Sequence, residues 1–213
     1  MNEAMKSVGV WDIFVRTFHW TLLGTVIALF VTGETFEGVH FRIGYFLTGL
    51  VLARIIWGFI GTKHARFKDF LYKPAEIYRY LTGLLAGNPT HYRGHNPAGG
   101  LMIVVLLASL LLTAFTGLMA LGSKGQGPLA DAGNSILRPA YADEDDHDEK
   151  DDSQAYSKGH GVEKQKAHFW KEIHESLTGF IIFLIAVHLA GVLVSSWIHR
   201  ENLILGMITG KKE

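Results

Sequence analysis

Four runs of about 20 residues are almost free of charge, and the segments between them are strongly polar. The runs cover roughly Phe14–Gly33, Phe41–Gly61, Gly99–Leu121 and Ile173–Ile198. A helix rises about 1.5 Å per residue, so each run is long enough to cross a hydrocarbon core of about 30 Å. A water-soluble core needs no apolar runs of that length. Tryptophan marks their ends: Trp11 and Trp20 lie near the start of the first, Trp57 near the end of the second, and Trp170 and Trp197 bracket the fourth. Indole rings collect at the two membrane–water interfaces. The pattern predicts an all-α integral membrane four-helix bundle, with 1–213 as a single transmembrane domain and a mobile acidic loop between helices 3 and 4 over about 122–165. The first run lacks a basic leader and a small-residue cleavage site, so it reads as a span rather than a signal peptide.

The polar segments set an expected orientation. Four spans put both termini on one side. The segment 62–98 holds Lys63, Arg66, Lys68, Lys73, Arg79 and Arg93, and the tail adds Arg200, Lys211 and Lys212, whereas 34–40 has no Lys or Arg. Lys and Arg concentrate in cytoplasmic loops. The expectation is a multi-pass protein of a bacterial inner membrane with cytoplasmic termini. Within 62–98, Pro74–Gly87 reads as a short helix, because Pro74 suits a first turn and Ile77, Leu81, Leu84 and Leu85 share a face. It is expected to lie along the membrane surface or to pack on the bundle as a connector. The block 143–152 has nine charged residues in ten and reads as solvated chain that could attract a basic soluble partner.

Composition removes several chemistries. There is no cysteine, which excludes iron–sulfur clusters, disulfides and thioether-linked haem. The formal net charge is zero, so the basic excess of a nucleic-acid binder is missing. Histidine, with 11 copies, is the residue in surplus.

Ionisable side chains inside a span are costly and need a reason. Four histidines qualify: His19 in the first span, His40 opening the second, and His174 and His188 in the fourth. His174 and His188 are 14 residues apart, close to four turns, so they share a face at different depths. Following the chain through the bilayer sorts the four into two levels, an outer one with His40 and His174 and an inner one with His19 and His188. Each level joins one histidine of the fourth helix to one of another helix. Two imidazoles facing each other across a bundle suit the axial positions of haem iron, held without covalent links as b-type. Gly24, Gly44, Gly179 and Gly191 follow these histidines by three to five residues and permit close approach to a porphyrin face or to a packed helix. Arg16 lies one turn before His19, and Arg54 lies 14 residues after His40 at the inner level. A haem propionate would pair either arginine. A zinc or iron permease is the competing reading. It calls for ligands clustered at one depth with intramembrane carboxylates, and the spans carry acids only at the edge of the fourth, Glu172 and Glu175.

Four segments carry a resemblance: Val10-Trp-Asp-Ile-Phe-Val-Arg-Thr-Phe-His-Trp20, Leu52-Ala-Arg-Ile-Ile-Trp-Gly-Phe-Ile-Gly61, Gly94-His-Asn-Pro-Ala-Gly-Gly100, and the stretch from His188 to Leu203. In these the chain resembles bacterial cytochrome b-561 proteins, in the branch that includes the cytochrome b subunits of nickel–iron hydrogenases. The resemblance implies a four-helix membrane cytochrome with two haem b groups per chain. Its ligands would be His19, His40, His174 and His188, the same four that depth and phase select. It also implies electron transfer between a periplasmic redox partner, such as a cytochrome c or a hydrogenase-like subunit, and membrane quinone. Some members act alone as superoxide- or quinol-linked oxidoreductases, which stands as the alternative. No general acid–base pair or nucleophile for hydrolytic chemistry is visible.

Overall fold

A computed structural model describes residues 8–9, 11–88, 90–92, 94–130 and 152–212. Along the chain run a two-residue strand β1 (Val8–Gly9), α1 (Ile13–Thr32), α2 (Glu37–Ile60), a single 3-10 turn (Phe67–Asp69), α3 (Pro74–Leu85), α4 (Pro97–Gly122), α5 (Asp152–His199), α6 (Leu203–Thr209) and a second short strand β2 (Lys211–Lys212). The fold is all-α apart from the antiparallel β1–β2 contact, which pairs Val8 with Lys212 and Gly9 with Lys211. Helices α1, α2 and α4, and α5 over Gln165–His199, are long and apolar enough to span a membrane. Much of their apolar surface is exposed, as at Ile27, Phe59, Phe183 and Trp197. Such surface is costly in water and natural against lipid.

Local chemistry fixes the helix ends. Asp12 caps α1 by accepting from the Val15 N–H at 2.7 Å. Asn96 accepts from the Gly99 N–H at 2.7 Å at the start of α4, and Asn202 from the Leu205 N–H at 2.9 Å at the start of α6. These side chains satisfy donors that the first helical turn leaves orphaned. Pro74 opens α3 at a position where no N–H is needed.

The fourth apolar helix differs from the expectation. The chain is already helical from Asp152, inside the polar stretch to about 165 that the sequence pattern reads as a loop. The segment 152–172 is polar but rich in strong helix formers, including Gln154, Ala155, Lys158, Glu163, Lys164, Gln165 and Ala167. His168 with Glu172, and Lys171 with Glu175, add contacts of 3.5 Å at helical spacing. Polarity marked this segment as solvated, which a helix can equally be. The remainder of the expected acidic loop, 131–151, lies outside the described residues.

The chain divides into two compact units, 1–110 with 181–213, and 111–180. In the first, a core forms from Val26 of α1, Leu47 and Val51 of α2, Leu107 and Leu110 of α4, and Ile181 of α5. The loop after α2 closes onto it. The Phe67 ring occupies the space a side chain would need at Gly58, and the Phe70 carbonyl does the same at Gly100, so glycine admits the loop at both places. In the second unit, Met119 is fully buried and Phe115 meets Trp170 edge-on, with ring centroids 6.2 Å apart.

Candidate functional site

Helices α1 and α5 bring the rings of His19 and His188 together within the first unit. Their centroids are 6.5 Å apart and their planes differ by 51°. Two imidazoles on opposite sides of one metal, each bonded at about 2 Å and with ring centres about 1.2 Å behind the nitrogens, would stand about 6.4 Å apart. The gap therefore suits a single metal atom between the rings. Trp20 lies edge-on to His19 at 5.4 Å. The Nδ1 of His19 is buried and has no hydrogen-bond partner among the described residues.

His40 and His174 are held differently, each within its own unit. The His40 Nδ1–H donates to the Leu29 carbonyl at 3.2 Å, and the position of a side chain at Gly33 lies 3.7 Å from its ring. The His174 Nδ1–H donates to the Thr113 carbonyl at 2.9 Å, and a Cβ at Gly117 would come within 3.0 Å of its Cε1. A carbonyl only accepts, so Nδ1 carries the proton, and in a neutral ring Nε2 is left with the lone pair. The two cradles share one plan: a carbonyl at position i takes the ring N–H, and the glycine at i+4 lies against the ring. The Thr116 hydroxyl adds to the second, 3.3 Å from His174 Nδ1 and donating to the Thr113 carbonyl at 3.0 Å. Nothing in the sequence pattern singles out Leu29, Gly33, Thr113, Thr116 or Gly117. The available signal was one glycine in α4 close to the level expected for His174.

The four glycines named from sequence have open space: a Cβ at Gly24, Gly44, Gly179 or Gly191 would meet no atom within 4 Å. Arg54 is buried, donates from Nη2 to the Ala65 carbonyl at 3.2 Å, and lies over the Phe67 ring at 5.8 Å. Its Nη1 is buried without a partner among the described residues. The Arg16 guanidinium donates to the Ile208 carbonyl of α6, while its Nε is buried and likewise unpartnered. Each arginine thus has protein contacts and one donor to spare. Just before α1, the Asp12 carboxylate also accepts from the Trp57 indole at 3.1 Å and the Thr62 hydroxyl. Partial burial alone would raise its pKa. The Thr62, Val15 and Trp57 hydrogen bonds and the Arg54 charge outweigh that and hold it below the usual carboxylate value.

Other histidines serve local contacts. His95 packs on Trp11 and Phe70, with centroids 4.4 and 4.9 Å away. His91 Nε2 lies 2.7 Å from Glu201 and its ring 5.2 Å from that of His199. Among the described residues no three His, Asp or Glu side chains converge as a metal site. A permease-type metal centre needs three or four protein ligands, whereas a porphyrin supplies four nitrogens and leaves two axial positions.

Comparisons with known proteins agree in kind. The chain is 25% identical over 240 aligned positions to a protein of Bradyrhizobium diazoefficiens named probable Ni/Fe-hydrogenase B-type cytochrome subunit, covering 97% of this chain and 86% of that one. A protein of the same name from Azotobacter chroococcum is 25% identical, with 96% and 88% covered. Another from Azotobacter vinelandii is 30% identical over 57% of this chain and 62% of its own length. No solved structure matches. The family model described as prokaryotic cytochrome b561 matches residues 10–210, nearly all of the described fold, and the chain belongs to that family of multi-pass bacterial membrane proteins that transfer electrons through b-type haem.

Proposed function

We propose that the protein carries electrons across a bacterial inner membrane through two b-type haems. His19 with His188 would hold one, and His40 with His174 the other. The observation that carries this reading is the facing pair His19 and His188, with centroids 6.5 Å apart and no third metal-ligating side chain grouped with them among the described residues. The open space at the four glycines and the Nδ1-anchored rings of His40 and His174 support it. When bound, b-type haem supplies one-electron chemistry between ferrous and ferric iron. The residues of the chain present Nε2, exclude water and neutralise charge. Arg54 and Arg16, each with a buried nitrogen that has no partner among the described residues, are the candidates for pairing propionates.

The names of these relatives favour a nickel–iron hydrogenase as the redox partner on one side, and membrane quinone is the partner on the other in this reading. The Lys and Arg of 62–98 and of the tail favour termini on the cytoplasmic side, which leaves the polar connection between α4 and α5 to the periplasm. The test is haem stoichiometry. Protein purified in detergent and reduced with dithionite is expected to show a b-type visible spectrum and two haems per chain. A colourless protein that carries zinc would overturn the reading.

A further inference from the structure

Helix α3 has one broad apolar face, and the fold covers only one side of it. Tyr80 is buried, with Ile77 and Leu84 half-buried beside it. Tyr78, Leu81 and Leu85, which share a face at the i, i+3, i+7 spacing, are 72%, 40% and 89% exposed. Leu71, just before the helix, is 56% exposed. This stripe lies outside the spanning helices, so bilayer crossing does not account for it.

The flanking contacts set its level. The Tyr72 hydroxyl donates to the His95 carbonyl at 3.0 Å, two residues before α4 begins. Phe67 seats on Gly58 in the last turn of α2, and the Phe70 carbonyl on Gly100 in the first turn of α4. The segment leading into α3 is therefore pinned to the ends of two spans, at the boundary between lipid and water. Charge completes the pattern. Lys68 and Lys73 precede the stripe and are exposed, as is Arg79, while the acid of this helix, Glu76, is half-buried.

We propose that α3 is an interfacial helix that rests its outer face on the anionic phospholipid surface of the protein's own membrane. Tyr78, Leu81 and Leu85 enter the boundary between headgroups and acyl chains, and Lys68, Lys73 and Arg79 meet lipid phosphates. An apolar stripe flanked by cations is what such a surface attracts. This assignment stands apart from the haem reading and survives its failure.

The absence of cysteine makes the test direct. Single cysteines at Tyr78, Leu81, Leu85 and, as a control on the polar side, Ala75 are spin-labelled in the full-length protein in nanodiscs. In phosphatidylglycerol, labels at 78, 81 and 85 should collide several-fold more with oxygen than with a water-soluble nickel chelate, and the label at 75 should do the reverse. In phosphatidylcholine, or with Lys68→Gln and Lys73→Gln combined, the contrast should shrink. Equal chelate access at all four positions in phosphatidylglycerol would overturn the proposal. So would spin–spin broadening at 81 with both reagents excluded, the signature of a second copy on this face.

Discussion

His40 and His174 are each bonded to a helix carbonyl, whereas His19 and His188 face one another and the buried Nδ1 of His19 has no partner among the described residues. The difference separates two ways of positioning a ligand. In the first, the protein chooses the tautomer and aims Nε2 beforehand. A donated Nδ1–H also makes the imidazole a stronger electron donor, which favours ferric iron and lowers the potential. In the second, packing brings the rings to metal-spanning distance, and binding itself must complete their orientation. On the proposed pairing, the haem of His40 and His174 has the more preorganised ligands, and the haem of His19 and His188 depends more on what binds.

Removing one ligand from each pair breaks the comparison most severely. His188→Ala should drop haem content from two per chain to one and spare the low-spin spectrum of the other site. His174→Ala should remove the other haem instead. Pyridine haemochrome content and low-temperature spectra report both. If either variant keeps two haems, the pairing is wrong.

Gly117→Ala should act next most strongly. The new Cβ would lie 3.0 Å from His174 Cε1, so the ring must give way and its bond to the Thr113 carbonyl must weaken. The expected result is about tenfold weaker haem retention at that site, in the range seen for lost outer-shell support, with a raised midpoint potential. Gly33→Ala, with 3.7 Å available beside His40, should change both much less. Equal effects of the two variants would remove the steric argument. Haem loss from both sites together would point to unfolding.

Parts of this arrangement could be read in advance. Four spans were legible because lipid tolerates little besides long uncharged runs. That His19 and His188 share a level followed from counting residues along two opposed helices. The helix from Asp152 was not legible, since a solvated helix and a solvated loop have the same polarity. Nor were the cradles. Contact between His174 and Thr113 joins residues 61 apart, and a carbonyl carries no sequence signature. Gly117 looked like any small residue in an apolar helix until the ring lay against it.

A smaller change sharpens the cradle itself. Thr116→Val keeps the volume and removes the hydroxyl that sits 3.3 Å from His174 Nδ1 and bonds the same carbonyl. Losing one such hydrogen bond costs about 1 kcal/mol, equivalent to roughly 40 mV for a one-electron couple. The Thr113 carbonyl, released from the hydroxyl, becomes a better acceptor for the ring N–H, so the potential should fall. A redox titration resolves that shift. An unchanged potential would mean that the threonine only packs.

The weakest effect should come from the start of α1, where Asp12 caps the helix that carries His19. With no Nδ1 partner among the described residues, the placement of His19 rests on that helix and its packing. Asp12→Ala removes the cap together with the bonds to Trp57 and Thr62, at a cost of about 1 kcal/mol for a typical N-cap. Asp12→Asn keeps a capping oxygen but not the charge. The direction with pH follows from the depressed carboxyl pKa. Its stabilisation is complete above the ordinary carboxylate value of about 3.9 and is lost as pH falls through the lower folded value. Acid titration should therefore disturb the His19 spectrum before the His174 spectrum in the wild type, and Asp12→Asn should flatten that early phase without altering haem binding at neutral pH. If the early phase persists in Asp12→Asn, some other group sets the acid sensitivity, and the cap contributes to the helix but not to the ligand.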